Sequence, residues 1–253
     1  MRLRWSVGVI VFVHGVPETA ALWNKLRAHL DEPAVAVALP GFGCPRPAGF
    51  AATKDAYVDW LASELSGIGE PCHLVGHDWG AAFTMRIALT RPTLVASWAV
   101  DVAYLLHPDY VWHDFARAWQ SPDEHDAFWD RYLSGPRDTV AGAYESWSVA
   151  RDDALALAGM ADATMAACIG DLYRSARPNP FADWGAAIHT SGMRGLVLLA
   201  SDEPFGPEEQ SVEVAERLGA RTVELIGCGH WWPLQDPERA AGLLQTFWRE
   251  IAA

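Results

Sequence analysis

The chain has 253 residues, about half of them hydrophobic and a fifth charged, with a formal net charge of −13 at pH 7. That length suits one large α/β domain with a lid, or two small domains. That charge repels nucleic acid and anionic membrane surfaces, so neither is an expected partner.

Taken in chain order, the first apolar run is Val7–Val13. It follows a short basic start but has no small-residue cleavage site, so it reads as a strand and not as a signal peptide. It ends in His14-Gly15-Val16-Pro17. A helical pattern over Ala20–Leu30, a strand over Ala34–Leu39 and a helix over Lys54–Leu65 follow. The next strand, Cys72–Val75, runs into GHDWGAAF at 76–83, a helix over Ala81–Thr90 and a strand over Leu94–Val100. None of these runs alternates between apolar and polar, as expected of parallel strands buried on both faces.

Between about Tyr104 and Thr190 the alternation of strand and helix breaks. Five Trp (112, 119, 129, 147, 184) and five Tyr (104, 110, 132, 144, 173) lie there, with Pro122, Gly135-Pro136, Pro178 and Pro180 separating helical patches. The stretch reads as a helical lid. The alternation then resumes with a strand over Leu196–Ala200, a helix over Val212–Leu218, a strand over Thr222–Ile226 and a final helix over Pro237–Ile251. The expected fold class is α/β with a mostly parallel, doubly wound sheet. Residues 1–103 and 191–253 would form the core and 104–190 the helical cap.

Three motifs fall at the C-terminal ends of strands, where open α/β sheets place ligands: His14–Pro17, the turn at Asp78, and Gly227-Cys228-Gly229-His230. Asp202-Glu203-Pro204 follows another strand. Gly76 and Gly80 would let a tight strand-to-helix turn present Asp78, with the helix dipole favouring its anion. An acid-oriented His230 could take a proton from water. The backbone N–H groups of Val16 and Trp79 would form a hole for a developing oxyanion. Each motif alone is weak, since an Asp at a helix start is commonly an N-cap. Together they stand in the order nucleophile, acid, histidine.

On HGVPETAALW (14–23), LPGFG (39–43), GHDWGA (76–81), LLASDEPFG (198–206) and GHWWPLQDPE (229–238), the chain resembles the epoxide hydrolase and haloalkane dehalogenase branch of the α/β-hydrolase superfamily. The resemblance implies an α/β-hydrolase fold in which an aspartate attacks an sp3 carbon and a His-activated water cleaves the resulting ester. A carboxylate needs no base to activate it, which suits displacement at a strained or halogenated carbon. Comparison with the family's Gly-x-x-Asp-Pro puts Glu203 in the acid's place, with Asp202 one step early as the alternative. His14, Gly15, Pro17 and Trp231 join Val16 and Trp79 as expected substrate-site residues.

For an epoxide, the family supplies acids from lid tyrosines. Tyr173-Arg174 matches the second of these, and Tyr110 and Tyr132 are both candidates for the first. For a halide, Trp79 and a second lid Trp would supply indole N–H donors. HGVPE is closer to the epoxide hydrolases, so opening of a bulky apolar or aromatic epoxide is the expected activity, with haloalkane dehalogenation as the alternative. A binding protein on the same fold is disfavoured because Asp78 and His230 are both present.

No cofactor is expected. The four cysteines (Cys44, Cys72, Cys168, Cys228) form no CxxC pair, and His107, His113 and His125 show no HExxH, so no metal is expected either. Scattered thiols read as reduced, hence a cytoplasmic location. No segment approaches the ~20 apolar residues of a membrane span. The chain departs from the family in that its first strand ends in HG, so the usual two strands ahead of it are missing or reduced to Arg2–Trp5. That would leave Ala34–Leu39 as a sheet edge, open to pairing in a homodimer, the alternative being a monomer.

Overall fold

The computed structural model describes residues 8–189 and 192–252; Val7, the Arg2–Trp5 segment and the domain boundary at 190 and 191 lie outside the described residues. The six apolar runs form β1 (Ile10–Val13), β2 (Ala34–Val37), β3 (Cys72–Gly76), β4 (Val95–Val100), β5 (Gly195–Asp202) and β6 (Arg221–Gly229). They pair in parallel in the order β2-β1-β3-β4-β5-β6.

Successive residues of a strand serve opposite faces, which is why the runs are apolar throughout. Val11 and Val13 of β1 join Leu74 and Val100 in one core layer, and Ile10 and Phe12 join Val75 and Ala99 in the other. The first layer is closed by α2 (Lys54–Ile68), α3 (Trp79–Thr90) and, further along the chain, the helix Glu208–Leu218. The second is closed by α1 (Asn24–Arg27) and the final helix, Pro237–Ala252. This is the α/β-hydrolase fold. No strand precedes β1 among the described residues, so β2 is an edge of the sheet, with Val35 half exposed.

Between β4 and β5 the described residues form helices only: α4 (Asp114–Gln120), α5 (Pro122–Ser134), α6 (Arg137–Ser146), α7 (Arg151–Ala158), α8 (Ala163–Arg174) and α9 (Phe181–Trp184), besides short 3-10 turns. After β5 come α10 (Glu208–Leu218), α11 (Trp232–Gln235) and α12 (Pro237–Ala252). One expected helix is shorter than the sequence suggests. Ala20–Leu30 divides into a 3-10 turn over Ala20–Trp23 and the single turn of α1, because Thr19 caps the 3-10 segment through Ala21 N and the chain after Arg27 closes in turn bonds. No single described helix is long and apolar enough to cross a membrane.

The sheet order reverses between β1 and β3, and their register, Val13 opposite Gly76, sets the loop after β1 beside the turn after β3. At the other side, Asp202 pairs with Gly229, so the next residues, Glu203 and His230, leave neighbouring strands together.

Candidate active site

Asp78 sits between β3 and α3 at φ 53° and ψ −123°, a strained backbone for a residue with a side chain. A Cβ on Gly76 would overlap the Gly80 carbonyl, and a Cβ on Gly80 would overlap the carbonyls of Val13 and His14. Both glycines are required for the turn to close. The Asp78 side chain makes no cap bond to its own helix. Its Oδ1 instead accepts the Val16 N–H at 2.9 Å, and the Trp79 N–H also favours its anion. A Cβ on Gly15 would collide with the Asp78 carboxylate, so the loop after β1 owes its closeness to that glycine.

His230 Nδ1 lies 2.9 Å from Glu203 Oε2, and Glu203 Oε1 accepts from Phe205 N at 3.0 Å and from the Tyr104 hydroxyl at 3.3 Å. Asp202 is exposed and accepts from Ser201 Oγ, so of the two acids only Glu203 touches the imidazole. Tyr104, which is not among the lid donors the sequence suggests, donates to this acid. Burial pushes Asp78 up to about 6 against the pull of His230 and His77. Burial also works against a charged His230, but Glu203 outweighs it and holds the pKa above the ordinary value.

A second buried group sits beneath the turn, and the sequence reading passed over it. His77, inside GHDWG, lies between two carboxylates: Nδ1 in a short contact with Asp101 Oδ2, and Nε2 at 3.2 Å from Glu18 Oε1. Asp101 also accepts the Trp232 indole N–H at 2.7 Å and the Asp78 backbone N–H at 3.0 Å. Burial opposes a charge on His77, but Asp101 and Glu18 together raise its pKa well above normal. The signal was present: Glu18 is the last residue of HGVPE and Asp101 directly follows the fourth strand. Lone acids, however, reveal no pairing in sequence.

Ligand atoms of Glu18, His77 and His230 lie within 4.8 Å of one another. Among them, Glu18 Oε1 and His77 Nε2 already pair at 3.2 Å. With His77 held as a cation between carboxylates, this group suits a water better than a metal ion.

Above the turn lies a cavity of about 420 Å³, walled on one side by strand-end loops and on the other by α4, α5, α6 and α8. Of the site residues that the sequence singles out, Asp78, His230, Val16, Pro17, Trp231 and Tyr173 line it. His14, Gly15 and Trp79 do not. Both ring nitrogens of the fully buried His14 are engaged, Nδ1 with Gly15 O and Nε2 with Leu39 N, so it ties two loops together and faces no substrate. Trp79 is fully buried against Trp112, Phe83 and Tyr173; its backbone N–H favours the Asp78 anion and its indole N–H has no partner among the described residues.

Of the candidate first lid tyrosines, Tyr132 reaches the cavity, where its hydroxyl meets that of Tyr144 at 3.0 Å, while Tyr110 is buried outside it with an unpartnered hydroxyl. The tryptophans divide between two uses. Trp23, Trp184, Trp232 and Trp248 are core, and Trp119, Trp147 and Trp231 wall the cavity. His113, absent from the expected site, also lines it.

Residues 10–243 match the family model for the alpha/beta hydrolase family. A curated relative, the lipase LipV of Mycobacterium tuberculosis, is 27% identical, covering 94% of this chain and 92% of its own. Among solved structures, a putative epoxide hydrolase from Pseudomonas aeruginosa superposes with a TM-score of 0.77 at 20% identity, over 97% of this chain and 90% of that one. An epoxide hydrolase from Bacillus megaterium, in complex with an inhibitor, gives 0.75 at 16% over 95% and 93%. The haloalkane dehalogenase DbeA from Bradyrhizobium elkani gives 0.75 at 18% over 98% and 92%.

Proposed function

Given that the chain belongs to the alpha/beta hydrolase family, we propose that it opens an epoxide to a vicinal diol through an ester on Asp78. One observation carries the reading: the residue at the tight turn, lining the cavity, is a carboxylate and not a hydroxyl. The named relative is a lipase, but acyl transfer of the serine type has no hydroxyl nucleophile at this turn.

Oδ1 of Asp78 is tied to Val16 N, so Oδ2 is the attacking atom. It forms a bond to an epoxide carbon as the C–O bond breaks, and Tyr173 donates a proton or hydrogen bond to the oxygen that leaves. His230, oriented by Glu203, then takes a proton from a water held near Glu18, and the hydroxide adds to the Asp78 carbonyl carbon. The oxyanion forms at the Val16 and Trp79 N–H groups. Collapse releases the diol, with His230 returning its proton, and leaves one water oxygen in the Asp78 carboxylate. The helices between β4 and β5 act as the cap, and their aromatic side chains favour a bulky, apolar or aromatic substrate.

A second reading, dehalogenation, is favoured by one specific observation. The indole N–H groups of Trp119 and Trp231 have no hydrogen-bond partner among the described residues, and both residues line the cavity. Such donors suit a departing halide. The test is intact and peptide mass spectrometry of His230→Gln incubated with panels of aryl epoxides and haloalkanes. The expected result is a stable adduct of the whole epoxide on the Asp78 peptide. An adduct formed only by haloalkanes, lacking the halogen, installs the second reading, and an adduct elsewhere or none overturns both.

A further inference from the structure

His113 caps α4: its Nδ1 accepts the Ala116 N–H at 3.3 Å. A nitrogen that accepts carries no proton, so a neutral His113 must hold its proton on Nε2. No described residue pairs with that Nε2, and the side chain lines the same cavity as Asp78, His230 and Tyr173. The ring is placed on two sides. It packs on Phe205 at 4.7 Å, and Phe205 meets His230 edge-on at 4.8 Å. It also stands against Trp112 and Trp119, the same two indoles that flank Tyr173 at 5.1 Å each. His113 therefore shares one aromatic neighbour with the base and two with the tyrosine.

We propose that the His113 Nε2–H is a second hydrogen-bond donor to the oxygen leaving the substrate carbon, acting beside the Tyr173 hydroxyl. The inference rests on the proposed reaction and assigns it a donor that the resemblance does not supply. Of the other tyrosines, Tyr104 donates to Glu203, Tyr110 lies outside the cavity, and the bond between Tyr132 and Tyr144 uses one of their two hydroxyl protons.

His113 is a donor and not a base. Burial pushes its pKa down to about 4, with the neighbouring His230 lowering it further and only Asp114 opposing. It is neutral wherever Asp78 is ionised. A neutral imidazole whose N–H faces a developing oxyanion stabilises it without needing to change its own charge beforehand.

The cap and the donor roles can be separated. Serine at an N-cap accepts the same backbone N–H but is too short to reach a substrate oxygen. Glutamine at 113 keeps an N–H at nearly the reach of Nε2 and gives up the cap. The experiment measures the rate of Asp78 alkylation by an aryl epoxide in His230→Gln, His230→Gln/His113→Ser and His230→Gln/His113→Gln, together with each melting temperature. The serine variant is expected to keep the cap, to melt below the parent only by what the lost ring packing costs, and to alkylate about 10²-fold more slowly. The glutamine variant should melt lower and recover most of the rate. Serine at the parent rate, or glutamine as slow as serine, overturns the donor role while leaving Asp78 as nucleophile. Absence of any adduct in His230→Gln itself removes the proposed reaction, and this inference with it.

Discussion

The floor and the roof of the cavity are built on opposite terms. In the floor, Glu18, His77, Asp101, Glu203 and His230 each have a charged partner, and Asp78 is held by backbone N–H groups. In the roof, the Trp119 N–H and the His113 Nε2 have no partner among the described residues, and at the floor's edge the Trp231 N–H has none either. Strand ends carry a network whose members fix one another. Inserted helices present donors left for something that arrives. The floor is organised for one chemistry, and the roof decides on what.

The largest effect expected is in the floor. Asp78→Asn should lower turnover of a responsive substrate by about 10⁶-fold, because the proposed nucleophile and not a helper is lost. A residual rate within tenfold of wild type, in a coupled diol or halide assay, would remove the nucleophile assignment. Glu203→Gln should cost about 10⁴-fold by leaving His230 unoriented, whereas Asp202→Asn should change kcat by less than about twofold. An equal loss from both would show that the contact with His230 is not what matters.

Stability separates the two regions in the opposite direction. An acid whose folded pKa is raised stabilises the fold while protonated, and that contribution is lost as pH rises through the folded value. For Asp78 the window runs from the ordinary carboxylate range up to about 6. Asp78→Asn, which carries no charge, should therefore be more stable than wild type at pH 8, by up to about 3 kcal/mol in urea unfolding. The gap should close towards pH 4. In the roof, Trp119→Phe keeps the ring and removes the unpaired N–H. It should shift stability by less than about 1 kcal/mol and leave epoxide turnover within about twofold. A halide-releasing activity, if that is the chemistry, should fall much further.

The sequence shows Asp78 at its turn more clearly than the groups that support it, for physical reasons. Buried parallel strands must be apolar on both faces, so β1, β3 and β4 declare themselves, and the two glycines of the tight turn are obligatory. The acid is harder. The β5–β6 register shifts between Ala200 and Asp202, and that irregularity turns Asp202 outward and gives Glu203 to His230. A bulge of this kind has no local sequence signature. The Glu18–His77–Asp101 group joins residues 18, 77 and 101 across three strand ends, and only the sheet order brings them together. His14 shows the converse: a histidine at a site motif whose two nitrogens are both used to hold loops. Among the lid tyrosines, Tyr110 and Tyr132 have equivalent sequence credentials. Helix packing alone admits one to the cavity and excludes the other.

The ion group under the turn also bears on what the cavity admits. Counting Glu18, Asp78, Asp101 and Glu203 against the two imidazoles His77 and His230, the floor holds four acids and two bases. With both rings protonated, its balance is still negative. A molecule carrying its own carboxylate or phosphate close to the reacting carbon is turned away by that field, and an uncharged one is not.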